Sequence, residues 1–178
     1  SQLPSLDGIS ESTPMPVTEE QFFELCGRFL GKKALSELNK ITLMPSRDYE
    51  KSSSALIEKW NEGERTLRLA LAKLRADKMN KHFDVGIESF PVGLLQAVRT
   101  AIDIESPMEA EKFLNRHRLE FLETLRPMNA FAEDTAFYYG LKLKLIARMR
   151  QFNADLGESA YKNIYNSIMN GERLEAIQ

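Results

Sequence analysis

The chain has 178 residues, of which 43% are hydrophobic and 28% charged, with 9 Gly and 7 Pro. This is the balance of a folded helical protein and not of a disordered chain, and the length suits one domain or two tightly packed helical subdomains. The 24 basic and 26 acidic residues leave a net charge of −2, so there is no global electrostatic drive toward nucleic acid or anionic lipid. Cys26 is the single cysteine, which excludes an internal disulfide and a cysteine zinc cluster and fits a reducing compartment. No apolar run approaches the ~20 residues that span a bilayer, and the amino end carries no basic stretch followed by a hydrophobic signal region. The expected location is cytoplasmic, with any membrane contact made indirectly through partners.

Residues 1–17, with Pro4, Pro14 and Pro16 and the polar run Ser10 to Thr13, predict an irregular lead-in to a helical domain over 18–178. Thr18 followed by Gln21 is a capping-box pattern, and Phe22, Phe23, Leu25, Cys26, Phe29 and Leu30 form an apolar stripe that stops at Gly31. A shorter helix is predicted over 32–40, before Pro45. Ser52 to Ser54 are caps for a long helix to about residue 80, carrying Leu56, Ile57, Trp60, Leu67, Leu71 and Leu74 at three- and four-residue spacings. A hinge is expected near 81–92, around Gly86 and Pro91, and then a short helix through Leu94, Leu95, Val98 and Ile102.

Ser106, Pro107 and Glu109 combine an N-cap serine, proline at the first helical position and a glutamate that closes a capping box. The helix that follows carries Phe113, Leu114, Phe121, Leu122 and Leu125 and ends before Pro127. Another runs over about 131–156, with Phe137, Tyr138, Leu141, Leu145, Met149 and Phe152 on one side and Gly157 at its end, and a last one over 158–170 turns Tyr161, Ile164, Tyr165 and Ile168 inward. The pattern implies an all-α fold, an antiparallel bundle of about six to seven helices in one or two packed subdomains.

Catalytic patterns are not found. His82 and His117 lie on different elements without a metal-binding spacing, and His117, between Arg116 and Arg118, reads as a half-exposed surface residue. Gly86, Gly93 and Gly140 are isolated, so no phosphate loop is formed, and no serine sits in a Gly-x-Ser-x-Gly elbow. Glu109 and Glu111 fall in a first helical turn, where they favour the positive end of the helix dipole. Cys26 reads as a small core residue. No catalytic, cofactor-binding or metal-binding residue is assigned, and no cofactor is expected.

Two charged stretches stand out. From Trp60 to Arg75, Glu64 and Arg68 are spaced to pair on a solvated helix face, the favoured reading, or to form a buried network beside Trp60. Arg65, Lys73 and Arg75 extend this charged face. In the second stretch, Lys142, Lys144, Arg148 and Arg150 alternate with Leu141, Leu143, Leu145 and Ile146, and Lys144 and Arg148 stand one turn apart on a basic stripe. An ordinary helix face is the plainer account of that stripe, and a contact with RNA, an acidic partner or a membrane-proximal surface is the sharper one.

Several segments taken in order carry a resemblance. They are Gln2 to Leu6, Phe22 to Cys26, Trp60 to Arg75, Glu105 to Glu111, Tyr139 to Leu145 and Phe152 to Gly157. Together they resemble an uncharacterised bacterial family encoded within operons for V-type ATPases, notably in Bacteroidetes and spirochaetes. The resemblance implies a further aromatic, strand-like stretch before the Leu3-Pro4 pair. It also implies a non-catalytic role beside the rotary ATPase, similar to that of the helical socket, designated C or d, which joins the central stalk to the membrane rotor ring. The expected partners are therefore stalk or rotor components, with no nucleic acid, and the expected contact residues are Trp60, Glu64, Arg65, Arg68, Lys73, Arg75, Lys144 and Arg148. The rival expectation is a regulatory or nucleic-acid-binding adaptor using Lys144 and Arg148. An enzyme would need a cleft that gathers His117 or His82 with carboxylates from separate helices.

Overall fold

A computed structural model describes residues 3–9, 14–46, 51–82, 90–151 and 165. Among these residues there are six α-helices and no strand: α1 (Glu19–Phe29), α2 (Lys32–Lys40), α3 (Ala55–Lys78), α4 (Val92–Asp103), α5 (Pro107–Thr124) and α6 (Glu133–Gln151). The all-α expectation is met. The predicted helix over 158–170, the Gly157 end and the hinge around Gly86 lie outside the described residues.

The caps start the helices where the side chains dictate. Thr18 Oγ1 accepts from the Gln21 N–H at 3.2 Å while Gln21 Oε1 accepts from the Thr18 N–H at 3.0 Å, a complete capping box. Ser54 caps α3 by accepting from the Ile57 N–H, and its hydroxyl donates to Asp134 at 2.7 Å, which ties the starts of α3 and α6 together. At α5 the box is half made: Ser106 accepts from the Glu109 N–H, but the Glu109 carboxylate accepts from Lys112. The end of α3 is signed by Asn80, at φ 53°, an αL residue of the kind that closes helices when glycine is absent.

Helix α3, 24 residues and so about 36 Å long, is the spine. Its first half enters one apolar cluster with Leu56, Ile57 and Trp60, beside Leu6, Phe22, Leu38, Leu122, Leu141 and Leu145. Its second half enters another with Leu67, Ala70 and Leu71, beside Val98, Ala101 and Leu114. Helix α5 is shared in the same way, giving Leu122 to the first cluster and Leu114 to the second.

Residue pairs across the helices set their directions. Glu64 meets Arg118 and Trp60 stacks on Phe121, so α3 and α5 run antiparallel; Glu111 meets Arg148 and Glu123 meets Lys142, so α5 and α6 do too. Helix α4 departs from the antiparallel expectation. Lys78, the last residue of α3, donates to the Ile102 carbonyl and to Asp103 at the end of α4, so these two helices run in the same sense. A short loop forces neighbouring helices to reverse, but residues 79–91 can span roughly 40 Å and impose no such reversal.

The lead-in is irregular and packed. Leu6 and Val17 are buried in the first cluster, Gly8 supplies a turn at φ 75°, and the Pro4 carbonyl accepts from the Tyr139 hydroxyl at 3.0 Å. Burial pushes that hydroxyl's pKa up to about 12. Lys142 closes the clamp, its ammonium 2.6 Å from Asp7 and 2.7 Å from Glu123. Burial alone would lower its pKa, but the bonds to the two carboxylates raise it. Cys26 is a buried core residue, as expected, with its thiol pushed up by burial.

This packing makes two substitutions informative. A Cβ on Gly140 would fall 2.6 Å from Ile41 Cδ1 and 3.0 Å from Phe22 Cε1, both on buried side chains. The overpacking, roughly 1–3 kcal/mol, outweighs the helix-propensity gain of about 1 kcal/mol, so Gly140→Ala is expected to lower the urea midpoint. The second concerns acid. Hydrogen bonds from Lys142 and then Arg126 hold Asp7 below its ordinary 3.8, and at Glu123 burial pushes upward but bonds from Lys142 and Tyr138 prevail and lower it. Carboxylates with depressed folded pKa values stabilise above their unfolded values and lose that contribution as pH falls through the folded ones. Thermal melts from about pH 5 downward should therefore fall more steeply for the native chain than for Lys142→Met.

Candidate functional site: an arginine pocket

Between the two apolar clusters lies a polar layer. Glu64 and Asn115 are both buried there, with Glu64 only 3% exposed. Arg118 reaches Glu64 with both faces of its fork, Nε to Oε2 at 2.9 Å and Nη2 to Oε1 at 3.1 Å. Its third nitrogen, Nη1, donates to Asn115 Oδ1 at 3.0 Å and to Glu111 Oε1 at 3.3 Å. Burial alone would lower the Arg118 pKa, but Glu64 and then Glu111 raise it. Asn115 Nδ2 is left without a partner among the described residues; an unmet buried donor of this kind costs about 1–3 kcal/mol, and the layer tolerates it.

The layer forms one wall of a cavity of about 190 Å³, lined by Leu43, Met44, Leu71 and Leu114 and by the charged residues Glu64, Arg68, Arg75, Glu111, Arg118 and Arg148. The segment after α2 supplies the outer wall and is held to α3 at two points. Trp60 Nε1 donates to the Thr42 carbonyl at 2.9 Å, and Arg68 Nη1 donates to the Pro45 carbonyl at 2.8 Å. From α6, Arg148 Nη2 donates to the same Glu111 oxygen at 2.8 Å. One carboxylate oxygen thus takes two guanidinium groups, and both oxygens of Glu64 are committed to Arg118.

The eight expected contact residues divide sharply. Glu64, Arg68, Arg75 and Arg148 are brought together in the cavity, although they come from two stretches of sequence far apart. Trp60 and Glu64 are corrections: Trp60 is 1% exposed and stacks on Phe121, and Glu64 pairs with Arg118, so neither belongs to a contact surface. Burying both on the α3 stripe satisfies the indole N–H and the carboxylate internally. The favoured solvated Glu64–Arg68 pair is replaced by the buried network. Arg65 is exposed and Lys73 half-buried, and neither lines the cavity. Nor do Lys144 and Arg148 form an open basic stripe, because Lys144 pairs with Glu19 and lies over the Phe23 ring, and Arg148 pairs with Glu111.

Arg118 and Glu111 are positions of the candidate site that sequence reasoning missed. Glu111 does not serve the helix dipole but bridges Arg118 and Arg148. A signal existed. Arg118 falls on the apolar stripe Leu114, Phe121, Leu125 of α5, and Glu64 falls on the stripe Ile57, Trp60, Leu67, Leu71 of α3, so opposite charges on two core-facing stripes call for each other.

His82 is exposed. His117 lines a larger cleft of about 700 Å³ with Glu62, Gly63, Glu64, Glu120 and Phe121, the carboxylates coming from α3 and α5. Its imidazole makes no hydrogen bond among the described residues, and of these carboxylates Glu64 already belongs to Arg118. No group of three or more His, Cys, Asp or Glu suited to a metal occurs among the described residues, and none of their helices is long and apolar enough to cross a membrane. Comparison with protein-family models, with curated proteins and with solved structures gives no match.

The layer makes a double-mutant prediction. Arg118→Leu strands the Glu64 carboxylate, whose side chain is 2% exposed, and should cost about 3–5 kcal/mol in urea unfolding. Glu64→Leu combined with Arg118→Leu should be more stable than that single variant, since a buried pair replaced by apolar groups is often near neutral.

Proposed function

We propose that the protein is a non-catalytic helical interaction component, and that its partners are stalk or rotor components of a V-type ATPase. The observation that carries the first half is the character of the polar site in which charged side chains from three helices converge. Among the described residues, four of its six charged groups are arginines, which neither accept nor release protons at physiological pH, and both carboxylates are engaged by them. Such a site binds and orients. The second half is supported by the resemblance of the sequence segments from Gln2 to Gly157, taken in order, to the family encoded with V-type ATPases.

The docking face is the arc of α3 that carries Arg65, Arg68 and Arg75, which fall within about 80° on a helix of 3.6 residues per turn. Arg65 and Arg75 are exposed on it, and an acidic partner surface complements it. The nucleic-acid reading has less support, since Lys144 and Arg148 are both engaged by carboxylates of this chain. The enzyme reading has the cleft it needs, but His117 has no orienting partner there among the described residues.

Tagged protein purified from cells expressing the ATPase operon should carry stalk or rotor components with it. Arg65→Glu with Arg75→Glu, a variant that keeps the native circular dichroism, should lose them. Recovery of no ATPase component by the unmodified chain contradicts the proposal.

A further inference from the structure

We infer that the arginine pocket is a binding site for a single phosphate group. The inference concerns the isolated chain and does not rest on the ATPase reading.

Charge is the first argument. Among the described residues, the cavity is lined by four guanidinium groups and two carboxylates, a surplus of two positive charges. The carboxylates are spent on Arg118 and Arg148: Glu64 gives both oxygens to Arg118, and Glu111 Oε1 accepts from Arg118 and Arg148 together. Arg68 and Arg75 have no carboxylate partner among the described residues; Arg68 spends one donor on the Pro45 carbonyl, and the Arg75 guanidinium makes no hydrogen bond or ion pair among them. Guanidinium groups are the preferred partners of phosphate because their planar forks donate in pairs to its oxygens. A phosphate monoester carries about −1.5 to −2 at neutral pH and matches the surplus, whereas a carboxylate leaves part of it unmet.

Preorganisation is the second argument. Arg68 and Arg118 are fixed before any ligand arrives, Arg68 by the Pro45 carbonyl and Arg118 by Glu64, Glu111 and Asn115. Their side-chain entropy is lost on folding and not on binding, which favours affinity. Arg75, exposed two turns beyond Arg68 on α3, is the donor left to close over an incoming group. Size is the third. About 190 Å³ accommodates a phosphate group with a few waters and lies below the roughly 300–1,000 Å³ of pockets that enclose a whole drug-sized ligand. The group is therefore either inorganic phosphate or the terminal phosphoryl of a molecule whose remainder stays outside.

Isothermal titration of the full chain with inorganic phosphate, with glycerol phosphate and with acetate, at constant ionic strength, tests the site. Saturable binding of phosphate is expected, with acetate weaker by about tenfold. Glycerol phosphate binding as well assigns the pocket to terminal phosphoryl groups; binding of inorganic phosphate alone assigns it to the free ion, and either result supports the site. Arg75→Glu should weaken phosphate about tenfold or more, while Arg65→Glu, an equal charge change on α3 outside the cavity, should leave it within about twofold. Arg68→Gln, which retains a donor for the Pro45 carbonyl, provides a second folded variant with the same expected loss. No saturable binding by the native chain, equal binding of acetate, or equal losses in Arg75→Glu and Arg65→Glu would overturn the inference.

Discussion

The pair between Glu64 and Arg118 governs the rest of the structure. It sits where α3 and α5 pass from one apolar cluster to the other, and its side chains are 2% and 12% exposed. Removing either charge there leaves the other without solvent, so the two helices are held in one register along their shared length. Register is what a long amphipathic stripe lacks by itself, since Leu67 and Leu71 could meet Leu114 in several ways with similar apolar area. The bidentate fork accepts one of them.

Several consequences radiate from that layer. With Arg118 fixed, Glu111 is placed to receive Arg148 from α6, and the bundle's third long helix is fixed to the same point. Trp60 and Arg68, two turns apart on α3, hold the segment around Thr42 and Pro45 across the opening. The pocket is thus a by-product of holding three helices and one connection at a common seam, with more cations than the carboxylates among its described residues neutralise. At the opposite side of the first cluster, Lys142 does for the lead-in what Arg118 does for the helices, joining Asp7 and Glu123 beneath the Tyr138 ring.

Much of the fold was legible in local chemistry. Thr18 and Gln21, Ser54, and Ser106 with Pro107 each mark a helix start that the structure realises, and the apolar spacing over α3 gives its length to within two residues of the expected end. The direction of α4 was not legible, because short-loop reasoning has no force over residues 79–91. The charged residues were harder. Spacing within one helix pairs Glu64 with Arg68, the partner visible in sequence, while the partner in space stands 54 positions away. The better guide was the conflict within each stripe: a carboxylate among Trp60 and Leu67, and a guanidinium among Leu114 and Phe121. Lys144 and Arg148 illustrate the converse, since a basic stripe says nothing of the carboxylates that other helices bring to it.

Arg118 is locked to Glu64 in a solvent-poor layer between the two clusters. The most direct measurement is the solvent exchange of the Arg118 Nε–H, observed by proton–nitrogen NMR of the full chain. A distinct resonance is expected that exchanges far more slowly than that of exposed Arg75, and that loses its protection in Glu64→Gln. An Arg118 Nε–H exchanging as fast as that of Arg75 in the native chain would contradict it.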